Sequence, residues 1–410
     1  MAIKKNIKKV LSVIGPGLFL IGYNIGTGSI TSMAKAGAEY SMTLFWALVL
    51  SSVFTYILMV SYGHVTLVTG NTALFNIKNE FKFGKVLAIY IFAALVIGEL
   101  LALMGIMGLV AELIQEGISL IIPELRVSTF LITSIIVVLL FMMLWKGQYL
   151  FFEKVLTVFV IIMALTFIIV FILVKPDLGE IFSGLVPSIQ NDPGNFKMLA
   201  AIVGTTCSAA VFIMRSTIVA EKGWTINDLD KEKKDAFISA STMLLLSGII
   251  MAVGAGTLHT MGMKLNNSAE MINLFEPIGG KAAAIIFIVG IVGAGLSTVF
   301  PIILIAPWLM SDYSGKVRNL KSPLYRALGA VGLLFAFGMQ FMKQSPPLVI
   351  VFSQAFQAMI LPAVAIPIFI LINRKELMKE HVPSLSTNIG IVLVILFSLL
   401  TAYFAIAGIS

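Results

Sequence analysis

The chain has 410 residues, 59% of them hydrophobic and 12% charged, with a net charge of +8 and a mean hydropathy of +1.02. A water-soluble domain carries about 25% charged residues, so this chain lacks the polar surface to cover a soluble globule, and a large soluble catalytic domain is excluded. One cysteine, Cys207, and three dispersed histidines, His64, His259 and His381, provide neither a disulfide framework nor a Cys- or His-based metal cluster; no enzyme activity and no cofactor are expected.

Apolar runs long enough to cross a bilayer fall at 12–38, 42–68, 85–110, 127–145, 151–174, 196–220, 236–260, 281–309, 325–342, 346–372 and 387–408. They predict eleven transmembrane helices in one domain, an all-α integral membrane protein. With the amino terminus inside, 20 Lys and Arg fall in cytoplasmic segments and 6 in outer ones. This positive-inside bias predicts a multi-pass protein of the cell (plasma or inner) membrane, with a cytoplasmic amino terminus and an outside carboxyl terminus. It also accounts for the positive charge, so the partner is the lipid bilayer and not nucleic acid.

Span 1 contains Gly22-Tyr23-Asn24-Ile25-Gly26-Thr27-Gly28-Ser29 in its middle, where Gly weakens a helix and Thr and Ser can bond the freed backbone. Span 6 contains Gly204-Thr205-Thr206-Cys207-Ser208-Ala209-Ala210, a weaker signal of the same kind. Interrupted helices five spans apart point to two inverted five-helix repeats, about 12–174 and 196–372, with an eleventh helix at 387–408 and a substrate site at the midplane. The helices are expected to restart near Ile30 and Val211, aiming two positive N-terminal ends at that site. Small residues that only permit close helix packing are the alternative.

Intramembrane charges are costly and mark functional candidates. Lys35, Glu99 and Arg215 are the residues concerned. Arg215 lies about one turn beyond the second restart, and neither broken helix carries a carboxylate, so the expected substrate is an anion held by Gly26, Thr27, Gly28, Ser29, Thr205, Thr206, Ser208, Ala209, Ala210 and Arg215. Glu99 is the proton-carrier candidate, or a structural partner of Arg215 or Lys35. His64 could extend a proton path, and Ser297 with Thr298 in span 8 could instead bind sodium. Gln354 and Gln357 in span 10 could reach the site. The charged run at 227–235 reads as a solvated linker.

Over most of its length the chain resembles the natural resistance-associated macrophage protein (Nramp) family of metal transporters. The resemblance rests on Gly15-Pro16-Gly17 and Ala36-Gly37-Ala38 around span 1, Val68-Thr69-Gly70, Lys175-Pro176-Asp177, Gly184-Leu185-Val186-Pro187-Ser188, Gly295-Leu296-Ser297-Thr298, Ser353-Gln354 and Leu361-Pro362, in that order. It implies a LeuT-like fold. The family's Asp-Pro-Gly-Asn metal motif falls on Gly26-Thr27-Gly28-Ser29, and its Met-Pro-His motif on Ser208-Ala209-Ala210, so the metal-binding side chains are missing. A family histidine falls on Arg215, and an Asp-Leu-Ala-Glu pattern reads Glu99-Leu100-Leu101-Ala102. Asp192-Pro193-Gly194-Asn195 spells the metal motif in the loop before span 6, where it reads as a turn leading into a helix. The departures resemble the Nramp-related bicarbonate transporters. The resemblance therefore implies secondary active transport of bicarbonate, coupled to protons or sodium, by a monomer. A divalent metal carrier (Mg²⁺ or Mn²⁺) and a carrier of amino acids or small carboxylates stay open.

Overall fold

The computed structural model describes residues 26–146, 149–273, 276–316, 319 and 322–408. In chain order the helices are α1 (Thr27–Tyr40), α2 (Phe45–Thr69), α3 (Ala73–Glu80), α4 (Gly84–Ile121), α5 (Thr129–Lys146), α6 (Tyr149–Val174), α7 (Leu178–Ser183), α8 (Pro193–Thr206), α9 (Ala209–Glu221), α10 (Leu229–Gly254), α11 (Ser268–Asn273), α12 (Glu276–Ser314), α13 (Pro323–Leu334), α14 (Pro346–Ile372), α15 (Lys375–Met378) and α16 (Leu385–Ala407). The expected spans all have helical counterparts within the described residues. The first half of span 1, up to Ile25, lies outside them, including the expected Gly22–Ile25 part of the first break. Among the described residues, eight stretches are long and apolar enough to cross a membrane, and Ile161–Val174 is a shorter apolar helix.

Burial separates the lipid-facing helices from the centre. α5 buries one stripe, Ile132, Ile136, Leu140 and Leu144, at the four-residue spacing that keeps side chains on one helix face. Its Ile135, Leu139 and Met142 face outward, as hydrocarbon permits. α1 instead buries every residue from Thr27 to Ala38, and an 18-residue apolar stretch within Pro193–Glu221 is 89% buried. The two elements expected to be broken are thus the middle of the molecule: α1 packs against α8, α10 and α14, and α8 and α9 pack against α2 and α14.

α8 opens on the decoy motif. The Asp192 carboxylate accepts the Asn195 N–H at 3.0 Å, and Pro193 occupies the first turn, so the four residues form a helix N-cap. α8 ends where the Cys207 N–H bonds the Val203 carbonyl at 2.7 Å. Ser208 is extended, with φ −69° and ψ 128°, and α9 starts at Ala209. Gly204 to Thr206 remain helical. Gly204 is there for proximity: a Cβ at that position would run into the Gln354 backbone carbonyl of α14.

Candidate transport site

The break between α8 and α9 and the start of α1 face a common cavity of about 30 Å³. Gly26, Gly28 and Ser29 line it from α1, and Thr205 and Ser208 from the break. Neither Gly26, the N-cap of α1, nor Ser208, the N-cap of α9, makes a side-chain capping bond. Both helix N-termini therefore keep their positive partial charge on this side, with no side chain of the N-cap residue bonded to the first turn. α4 supplies Glu99, Ala102 and Ile106; α12 supplies Thr298 and Ile302; α14 supplies Gln354. Glu99 is 5% exposed and accepts a hydrogen bond from Gln357 Nε2 at 2.8 Å. Among the described lining residues it is the one acid, and no thioether, imidazole or cationic side chain joins it.

The remaining candidates lie elsewhere. The Thr27 hydroxyl is fully buried without a hydrogen-bond partner, beside Gly295 of α12. The Thr206 carbonyl accepts the Thr55 hydroxyl at 2.9 Å. Ala209 and Ala210 are fully buried at the start of α9, so any contribution from them is backbone. Ser297 and Thr298 both donate to the Ala294 carbonyl, at 2.7 and 2.9 Å, although Thr298 also reaches the cavity. His64 follows Gly63 on α2 and is not in the cavity wall.

Arg215 requires a correction. Its guanidinium does not face the cavity but is fully buried against α10. Nε and one terminal nitrogen form a fork on the Glu232 carboxylate at 2.8 and 2.7 Å, and the other terminal nitrogen meets Asp235 at 2.5 Å. Two carboxylates satisfy the guanidinium, so it has no free face for an anion. The run at 227–235 is corrected with it: Glu232 and Asp235 are buried, not solvated. Gly63 leaves the space that the Glu232 carboxylate fills. Lys222, just past α9, is held below the usual lysine range by partial burial, while the Asp235 charge pulls the other way.

Arg215 begins a run of three anchors. The Ser216 hydroxyl accepts the Ala73 N–H of α3 at 2.9 Å, and the Thr217 hydroxyl donates to the Asp312 carboxylate of α12. Successive helical residues point about 100° apart, so one turn of α9 is tied to α10, α3 and α12. In the second half of α1, away from the cavity wall, Lys35 is buried and donates to Glu39 at 2.5 Å, the Leu265 carbonyl at 2.7 Å and Asn266 Oδ1 at 3.0 Å. These partners, and not Glu99, hold its ammonium group.

Reading the sequence missed Ala102, Ile106 and Ile302 as cavity residues. Ala102 and Ile106 follow Glu99 by three and seven positions, the spacing of one helix face, so a helical wheel drawn through Glu99 finds them.

Residues 17–407 match the family description "Natural resistance-associated macrophage protein-like". The chain belongs to the Nramp family. It is 21% identical over 413 residues to the Deinococcus radiodurans protein named divalent metal cation transporter MntH, covering 97% of this chain and 90% of that one. Among solved structures, the Eremococcus coleocola manganese transporter superposes with a TM-score of 0.77 at 16% identity, over 96% of this chain and 86% of that one. Mhp1, a nucleobase-cation-symport-1 family transporter, superposes with a TM-score of 0.59 at 14% identity, over 96% and 92%. The fold is LeuT-like and all-α, and this Nramp member is a multi-pass secondary transporter, not an enzyme.

Proposed function

We propose that this chain carries a small inorganic anion of the bicarbonate type together with a proton, with Glu99 as the coupling acid. The observation that carries the reading is the cavity wall. Two uncapped helix N-termini face one acid, and none of the described lining side chains is a second carboxylate, a thioether or an imidazole. Among the described residues there is also no group of three or more His, Cys, Asp or Glu able to hold a metal ion. With Glu99 protonated, the positive ends of α1 and α9 dominate and an anion is favoured; with Glu99 ionised, it is repelled. Proton and anion then each strengthen the other's binding. Moving both together also removes the cost of about 2.3 kcal/mol per 100 mV for driving an anion alone into a negative cell. A cavity of about 30 Å³ holds about one or two water-sized groups, which disfavours amino acids. The protein acts in the cell membrane as a monomer and a single domain, with its amino terminus cytoplasmic and its carboxyl terminus outside.

A second reading is carriage of a divalent cation such as Mn²⁺ or Mg²⁺. It is favoured by the names of the relatives, divalent metal cation transporter and manganese transporter, and by the sign of the cavity's one side-chain charge. The two readings have opposite pH dependence, because a cation gains when Glu99 is ionised.

The test is reconstitution into liposomes with a pH-sensitive dye, an inward bicarbonate gradient and a clamped potential, correcting for carbon dioxide leak. Mn²⁺ and Mg²⁺ uptake is assayed in parallel. The expected result is protein-dependent bicarbonate flux that falls as pH rises and loses this dependence in Glu99→Gln. Mn²⁺ or Mg²⁺ entry that grows with pH, without bicarbonate flux, establishes the second reading instead.

A further inference from the structure

Gln357 lies three residues along α14 from the cavity residue Gln354 and is 2% exposed. Its amide nitrogen donates to Glu99 Oε1 at 2.8 Å, while its own carbonyl oxygen is buried without a hydrogen-bond partner. Buried orphan acceptors are rare enough to need a physical reason, because each forfeits the bond it would make to water. Gly98, next to Glu99, leaves room for the amide: a Cβ there would lie 3.1 Å from Gln357 Nε2 and 3.3 Å from its amide carbon.

A primary amide carries a donor and an acceptor side by side, whereas a carboxylate has acceptors only. Against ionised Glu99, therefore, only the amide N–H can bond. A carboxylic acid also carries a donor and an acceptor side by side, so acid and amide close a ring of two hydrogen bonds, N–H to carbonyl and O–H to amide oxygen. The orphaned atom is the one that protonated Glu99 uses.

We propose that Gln357 is a positioning residue for the coupling proton, its amide complementary to the protonated Glu99 carboxyl and fixing that carboxyl's orientation. The proposal rests on the reading of Glu99 as the coupling acid. Among the described residues, the charged side chains on the helices packed against α4 are engaged with other partners or stand far from Glu99 along the chain. α14 has no ionisable side chain from Pro346 to Ile372. On α4 itself, Lys85, Tyr90, Glu112 and Glu116 lie nine or more residues from Glu99. Lys35 and Glu39 of α1 are bonded to each other, and Asp312 of α12 is bonded to Thr217. On α3, Lys78 donates to the Tyr313 carbonyl and Glu80 pairs with Arg374. Glu270 of α11 accepts from the Asn267 N–H, Lys146 ends α5, and Glu276 and Lys281 belong to the opening turns of α12.

Gln357→Met keeps length and volume but removes both donor and acceptor. In proteoliposomes, wild-type bicarbonate flux falls through a midpoint as pH rises. The variant's midpoint moves to lower pH by about one unit, a tenfold change in proton concentration and the scale of one or two hydrogen bonds. An unmoved midpoint overturns the proposal, and so does a move to higher pH, which loss of a plain carboxylate donor gives. A second readout needs no transport: the infrared C=O band of protonated Glu99, identified by its loss in Glu99→Gln, lies at lower wavenumber in the wild type than in Gln357→Met. Equal bands overturn the proposal. If pH-dependent flux survives in Glu99→Gln, the reading of Glu99 as coupling acid fails, and the infrared comparison alone decides Gln357. Gln357→Leu serves both readouts where Gln357→Met does not purify.

Discussion

Two buried polar clusters adjoin the broken element α8–α9 and treat charge in opposite ways. At Arg215, both edges of the guanidinium are occupied by carboxylates, one of them bidentate, with all three side chains at most 5% exposed. Near the cavity, Glu99 accepts a hydrogen bond from the Gln357 amide, and among the described residues the hydroxyls of Thr27 and Thr206 and the Gln357 carbonyl are buried without partners. A filled hydrogen-bond set gives a cluster one low-energy arrangement and rigidity. An unfilled set keeps capacity for a proton or a substrate. The sequence treats both as intramembrane charge. What separates them is the kind of partner: two carboxylates close on Arg215, whereas Glu99 accepts from an amide whose own oxygen is unsatisfied.

The largest expected effect tests that separation. Arg215→Ala leaves Glu232 and Asp235 buried without their cation, and breaking a buried pair costs about 3–5 kcal/mol. The variant should lose folded protein, read as thermal unfolding by size exclusion in detergent, before any statement about transport is possible. Arg215→Lys, which cannot reproduce the fork, should be intermediate. If Arg215→Ala purifies with wild-type thermal stability yet carries no anion, the division between the clusters is wrong and Arg215 acts on substrate.

Next comes Gly204→Ala. The added Cβ collides with a backbone carbonyl of α14, which cannot swing aside as a side-chain end can. Overpacking of this kind costs about 1–3 kcal/mol. Because Gly204 stands one residue before Thr205 of the cavity wall, the collision should also lower maximal flux more than the loss of stability accounts for. A variant with unchanged melting temperature and flux means that α8 and α14 slide freely at this level.

The span pattern carries the fold because bilayer thickness sets helix length, and the hydropathy runs have helical counterparts throughout the described residues. The break in span 6 was legible from its small and hydroxyl residues, yet Gly204 marks a close approach and not the break, which is Cys207–Ser208. Composition does not distinguish those two uses of glycine. Glu99 was legible because an acid in mid-span has few explanations. Arg215 was misread because its partners come from α10. Glu232 and Asp235 are three apart on one helix face, but Lys231 before them and Lys233 and Lys234 between them give the run the look of a solvated segment. Only packing against Gly63 and Arg215 turns that face inward.

The smallest effect comes from the literal metal motif. Asp192 caps α8 through the Asn195 N–H, so Asp192→Ala should cost about 1 kcal/mol, as loss of a helix cap does. Transport of any ion should stay at the wild-type rate. Asp192→Asn keeps a side-chain oxygen able to accept the same N–H, so it should restore the lost stability while removing the negative charge. A metal ligand behaves in the reverse way, because the amide keeps the cap but is a poorer partner for a divalent ion. Measuring melting temperature and Mn²⁺ uptake for both variants therefore reads the two roles on separate axes. Stability that follows the cap, with uptake unchanged, leaves the substrate to the cavity, where one acid and two helix ends face each other.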